Sequence, residues 1–241
     1  MQTTSATYKS ILAGNYQTEA VIWITDTNGI EKCVTHRELT APIEITEGCF
    51  DNMFGIGNAV AAEISVQMLV PKNWTPARMA QMRPQVRITN GVLTSEWLNK
   101  GVFFIDTRER TKNAYSEDVM NIHGYDKMLM AEQMYPGVNW STKADYLVLQ
   151  EICENIEGWS LNSETLAYIQ SLTSYSVKTP YNFTYREVLQ SIAAMRAGNF
   201  VMDENGELKL IPLTCAPTET YYLITPQGNY ITIGGNRIVL Q

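Results

Sequence analysis

The chain has 241 residues and a formal net charge of −7, from 18 basic and 25 acidic side chains. At 45% hydrophobic and 18% charged, it has the composition of a folded chain, which excludes intrinsic disorder and fits one large domain or two of ordinary size. No two Lys or Arg residues are adjacent, so the sequence offers no basic stripe to a phosphate backbone; an acidic balance lets nucleic acid pass without sticking.

The first twenty residues have no basic segment followed by an apolar run, so no signal peptide is expected. No stretch of about 18 apolar residues predicts a membrane span. Residues 1–115 read as a β-rich domain. Ala20–Asp26 is a short apolar strand ending in the turn signal Asp26-Thr-Asn-Gly29. From Ala61 to Leu69, polar Glu63, Ser65 and Gln67 alternate with apolar Ile64, Val66 and Met68, the period of a half-buried strand. Pro71–Pro84 breaks the pattern and reads as a loop carrying a short helix. Gln85–Asn90 alternates again and stops at the hairpin-type dipeptide Asn90-Gly91, and Gly101–Asp106 is a further strand. Several strands separated by turns predict a small β-barrel or sandwich.

Residues 116–213 mix helix and strand, as an α/β domain. Asp118–Tyr125 reads as a strand and Asp126–Met134 as a short helix. A second helix is expected to start at Thr142, with Asp145 in its first turn, an apolar face of Leu149, Ile152, Cys153 and Ile156, and Gly158 at its end. Thr184-Tyr-Arg-Glu187 is a capping box. It starts a helix over Val188, Leu189, Ile192, Ala193 and Met195, for which Gly198 is the expected stop. Asn199–Met202 and Glu207–Ile211 flank Asp203-Glu-Asn-Gly206 as a β-hairpin. Residues 214–241 return to strand-like sequence at Thr220–Thr225, Tyr230–Ile233 and Ile238–Leu240, the start of a second barrel or a return to the first.

Candidate chemistry is sparse. Gly55-Ile-Gly57 lacks the third glycine of a dinucleotide loop and any Lys-Ser/Thr pair, so loop flexibility is its expected role. His123 and Asp126 could be half of a triad, but no nucleophile motif accompanies them. Three acidic pairs, Glu117 with Asp118, Asp203 with Glu204, and Glu151 with Glu154, have the residue types of a glycosidase, but turns and helix surfaces are their expected places. Cys33, Cys49, Cys153 and Cys215 form no CxxC pair and, with His36 and His123, lack the spacing of a zinc site; they read as reduced core residues. No catalytic, cofactor-binding or metal residue is predicted, and the chain does not read as an enzyme.

Three ordered blocks resemble the prophage tail-tip or baseplate hub proteins of Gram-positive bacteria. The first runs from Ala41–Glu47 through Phe54-Gly-Ile-Gly57 to Ala62–Val66. The second is Gly101–Asp106 followed by Ile122-His-Gly-Tyr-Asp126. The third is Tyr185–Leu189, Ile192-Ala-Ala194, Gly198-Asn-Phe200 and Asn205-Gly-Glu-Leu208. At Gly124 the family more often carries alanine. Full hub proteins usually add a second barrel, for which only residues 214–241 remain here. The resemblance implies an α+β fold, a barrel-like first domain and a homotrimer whose barrels mimic the tail tube. It also implies partners: tube or distal tail protein, tape-measure or tail-fibre proteins, and DNA passing through the lumen. The location it implies is the virion tail, assembled in the host cytoplasm. A carbohydrate-binding, host-recognition module of the tail is the alternative.

Overall fold

The computed structural model describes residues 2–48, 55–70, 74–112 and 118–213, together with the backbone of residues 221–222, 232–233, 236–237 and 239–240. Helix α1 (Ala6–Leu12) opens on Ser5, whose hydroxyl accepts from the Tyr8 N–H. Ser5 also donates from its N–H and its hydroxyl to the Glu96 carboxylate, at 2.7 and 2.5 Å, which pins the helix to a distant loop. Strand β1 (Gln17–Thr25) buries Ile22 and Ile24. The turn that follows forms as its sequence predicts. Asp26 accepts from the N–H groups of Asn28 and Ile30 at 2.9 Å, and Gly29 takes φ 79°. The chain then returns as β2 (Glu31–Val34).

Next come β3 (Glu44–Thr46), β4 (Glu63–Leu69), β5 (Gln81–Thr89), β6 (Leu98–Asn99), β7 (Phe103–Lys112) and β8 (Asp118–Asp126). Alternation in β4 puts Ile64, Val66 and Met68 in the core and Glu63 and Ser65 outside. The segment before β5 differs from expectation. Residues 74–80 hold no helix, and β5 already begins at Gln81 and runs through Pro84. Proline is tolerated there because the Pro84 carbonyl faces Lys100, which donates to it at 2.9 Å. In a strand the N–H of a residue points the same way as its carbonyl. The missing donor therefore falls where β5 changes partner, from β7 at Gln81 and Met82 to β6 at Gln85 and Val86.

These strands make one antiparallel sheet in the order β2-β1-β5-β7-β8-β4-β3, with β6 beside β5. Among the described residues the sheet is open, with β2 and β3 at its ends. The segment after β2 crosses to the far side: Thr40 donates to the Gln67 carbonyl and Leu69 to that of Glu38. The two edges are thus tied by chain and hydrogen bonds around one core of Ile22, Ile24, Ile64, Met68, Phe103 and Ile122.

Asp126 ends β8 and caps the 3-10 helix Lys127–Glu132, accepting from the Met128 N–H at 2.9 Å. The helix expected to start at Thr142 starts later. Thr142–Ala144 is strand β9, paired with β10 (Ser176–Lys178), and α2 spans Asp145–Asn155 with Ala144 at its cap position. The reason is tertiary: pairing to β10 holds the Thr142 backbone extended. The expected apolar face is buried at Leu149, Ile152, Cys153 and Ile156. Helix α3 (Ser163–Ser171), not anticipated, is capped by Asn162, which accepts from Glu164 and Thr165.

The capping box of α4 (Tyr185–Met195) is complete: Glu187 N–H donates to the Thr184 hydroxyl at 3.2 Å, and Thr184 N–H to the Glu187 carboxylate at 2.7 Å. Its stop is not Gly198. Ala197 takes the left-handed turn at φ 47°, and Gly198 opens β11 (Gly198–Met202), where a Cβ would lie 2.7 Å from the Ile211 carbonyl. β12 (Leu208–Pro212) completes the expected hairpin. Its turn is held by Asp203, which accepts from Asn205 at 2.8 Å and Glu207 at 3.0 Å. Helices and hairpin share a second core, including Val148, Leu189, Ile192, Phe200 and Leu208. Four two-residue strands follow. β13 (Tyr221–Tyr222) pairs with β16 (Val239–Leu240), and β14 (Thr232–Ile233) with β15 (Asn236–Arg237). The rest of 214–241, with Cys215, lies outside the described residues, as do Cys49 and Glu117.

Candidate functional site

The structure disperses the catalytic candidates. His123 and Asp126 lie three apart on β8, so alternation sends them to opposite faces of the sheet. His123 packs edge-on against Tyr125, with ring centroids 4.9 Å apart, and its Nε2 lies 3.4 Å from the Glu63 carboxylate. Asp203 is buried in the hairpin turn and accepts from Asn162 Nδ2 at 2.9 Å. Glu151 pairs with Lys143, while Glu154 is exposed. Asp118 starts β8 opposite Lys112. Gly57, at φ 88°, packs on α4, where a Cβ would lie 2.8 Å from that of Ala194. Cys33 and Cys153 are free thiols. Burial, then Glu154, pushes Cys153 up to about 12; burial, then Glu38 and Glu31, raises Cys33. Both thiols therefore rest protonated. Among the described residues no three His, Cys, Asp or Glu side chains gather as for a metal ion, and no helix is long and apolar enough to cross a membrane.

What the fold does build is a junction and two contrasting sheet faces. At the junction, Asp126 is 4% exposed and accepts from the N–H groups of Ala62 and Met128 at 3.0 and 2.9 Å. Burial pushes its pKa up to about 6, against the pull of those hydrogen bonds and of the Arg186 charge. Arg186, the second residue of α4, donates to the carbonyls of Ala59 and, at 3.1 Å, Met128; its Nε lies 2.6 Å from the Glu132 carboxylate. One guanidinium thereby ties the strand entry, the 3-10 helix and α4 together, a use of its planar fork that lysine lacks. Beside Asp126, a cleft of about 400 Å³ separates Asn99–Phe103 from the β11–β12 hairpin.

On the outside of β3, β4, β8 and β7, polar side chains line up in register. Glu44, Ser65, His123 and Thr107 make one row across four strands; Gln67, Asn121 and Glu109 make the next. The second row is hydrogen-bonded in sequence, Thr40 to Gln67 at 2.9 Å, Gln67 to Asn121 at 2.8 Å and Asn121 to Thr111 at 3.0 Å. Among the described residues, the groove on this face is lined by no Lys or Arg. The outside of β1 and β5 differs. Arg87 lies 4.4 Å over the Trp97 ring and binds Glu19 at 2.6 Å, in a groove shared with His36 and Arg37.

Sequence reasoning missed Arg186, Arg87 and Trp97. Arg186 sat inside the recognised capping box, a legible signal; the pairing of Arg87 with Trp97 had none, because it depends on how β6 returns beside β5.

The class these features define is an α+β protein, an open antiparallel sheet followed by helices and a hairpin. Within that class, its fold is shared with prophage tail proteins. A 43 kDa tail protein of prophage MuSo2 from Shewanella oneidensis superposes with a TM-score of 0.54 at 12% identity, over 83% of this chain and 57% of that one. A tail protein from Neisseria meningitidis gives 0.50 at 11% identity, over 79% of this chain and 50% of that one. This chain therefore spans about half the length of either protein. At such identity the likeness is one of fold. No protein-family model matches the sequence, and no curated protein matches it.

Proposed function

We propose that this chain is a structural subunit of a phage-like tail, the hub of a tail tip or baseplate that joins the tail tube to distal components. The observation that carries the reading is the fold shared with the Shewanella and Neisseria tail proteins over about four-fifths of this chain. The three sequence blocks point the same way, toward hubs of Gram-positive prophages.

In this reading residues 1–115, with β8 completing their sheet between β7 and β4, form the wall of a barrel-like hub domain, the rest of 116–213 an α/β domain braced against it, and 214–241 part of a second β unit. Three copies close a ring at the tail axis. Its neighbours are the tube or distal tail protein and the tape-measure or fibre proteins, in a virion tail assembled in the bacterial cytoplasm. A net charge of −7 keeps the lumen from holding DNA as it passes. The chain works by assembly and performs no catalysis.

The test is mass in solution, with and without a tail-tube protein from the same genome. A concentration-dependent trimer that captures the tube protein is expected. A strict monomer at high concentration with no affinity for the tube protein overturns the reading.

A further inference from the structure

The two halves of the sheet bury their inner faces in one core. Ile22 and Ile24 of β1 and Met82 of β5 meet Ile64, Val66 and Met68 of β4 and Ile122 of β8. Their outer faces must therefore point away from each other, to opposite sides of the subunit. Those faces are unlike. The outside of β1 and β5 carries Arg87, stacked on Trp97 and paired with Glu19, Arg83 paired with Glu31, and exposed Arg37. The outside of β3, β4, β8 and β7 carries exposed Glu44 and Glu109, with amides and hydroxyls between them.

Like faces pair poorly: Glu44 and Glu109 would meet their own kind, as would exposed Arg37. Unlike faces on opposite sides fit a head-to-tail contact, the kind that closes into a ring when its rotation allows. The chemistry of each face suits the other. Arg and Trp are the residue types that anchor protein interfaces, and Arg87 is held ready by the Trp97 ring and by Glu19. The facing rows supply carboxylates for guanidinium groups, and amides whose orientation the Thr40–Gln67–Asn121–Thr111 chain fixes.

We propose that the Arg37–Arg87–Trp97 face of one copy docks on the Glu44–Glu109 face of the next, head to tail. The proposal deepens the ring reading given above and rests on it.

The experiment is charge reversal, read by sedimentation velocity over a range of concentrations. Three variants of the full chain are needed: Arg37→Glu with Arg87→Gln, Glu44→Lys with Glu109→Lys, and all four together. A fourth, Arg37→Glu alone, alters only an exposed side chain and guards against misfolding at Arg87. The unchanged chain is expected to associate. Each face-altered variant should associate at least tenfold more weakly, Arg37→Glu alone should weaken it measurably, and the fourfold variant should regain most of the loss. If the unchanged chain associates but no variant weakens it, or the fourfold variant regains nothing, this interface is wrong and the ring reading stands. If the unchanged chain is monomeric throughout, this interface falls, and without affinity for the tube protein the ring reading falls with it.

Discussion

Arg196 meets Asp145 inside the helical core, its Nε donating to the carboxylate at 2.7 Å, with side chains only 2% and 0% exposed. The two residues stand 51 apart in sequence, one just beyond the end of α4 and the other at the start of α2. Asp145 also accepts from its neighbour's N–H on Tyr146 at 3.0 Å, and the Arg196 guanidinium lies 4.5 Å from the Tyr175 ring centroid. A buried pair so placed fixes how α2 and α4 pack, although an apolar pair would fill the space at less desolvation cost.

Removing one partner leaves a buried charge alone. Arg196→Met is expected to destabilise the chain by ~3–5 kcal/mol. Adding Asp145→Leu to it should recover much of that loss. Urea unfolding with an unchanged m-value reads both; a double variant no more stable than Arg196→Met would show that the pair is not the source.

Asp126 makes stability fall as pH rises. Its folded pKa, pushed up to about 6, lies above the ordinary 3.8. The contribution is therefore complete below pH 3.8 and is lost as pH rises through about 6, a change of ~3 kcal/mol for a shift of about two units. Asp126→Asn removes the titration and keeps one oxygen acceptor. The stability of the native chain relative to this variant should decline between pH 4 and 7 and level off above. A difference that is flat across that window, or that rises, contradicts the expectation.

Gly124 should not tolerate the alanine that its family resemblance would place there. A Cβ at this position would collide with the Phe104 carbonyl and come within 2.8 Å of Met82 Cε. Phe104 sits just before the bulge where β7 shifts register against β8, between Ile105 and Thr107. Backbone cannot yield as a flexible side chain can, so Gly124→Ala is expected to cost ~1–3 kcal/mol. Calorimetry should show the melting point lowered by ~2–4 °C per kcal/mol at this chain length.

Arg186→Lys should be nearly as damaging as Arg186→Leu. A lysine cannot span the carbonyls of Ala59 and Met128 and the carboxylate of Glu132 at once. A loss of ~1.5–3 kcal/mol is expected for either change, from donors missing at buried acceptors. Full stability in the lysine variant, measured by the denaturation midpoint, would show that charge alone suffices at the junction.

Features encoded within a few residues were legible in the chain. The capping box at Thr184 and Glu187, the Asp203–Gly206 turn, the Asp26–Gly29 turn and the alternation of β4 all formed as read, because each rests on hydrogen bonds or a period local to its own segment. Long-range packing set the rest. It drew Thr142 into β9, let Pro84 run inside a strand where β5 changes partner, and gave the end of α4 to Ala197, leaving Gly198 to the close approach of β12. It also folded the sheet around a single core, which sent the Arg87 face and the Glu109 face to opposite sides. These outcomes depend on contacts between segments far apart in the chain, and the free energy of such contacts has no local signature from which to read it.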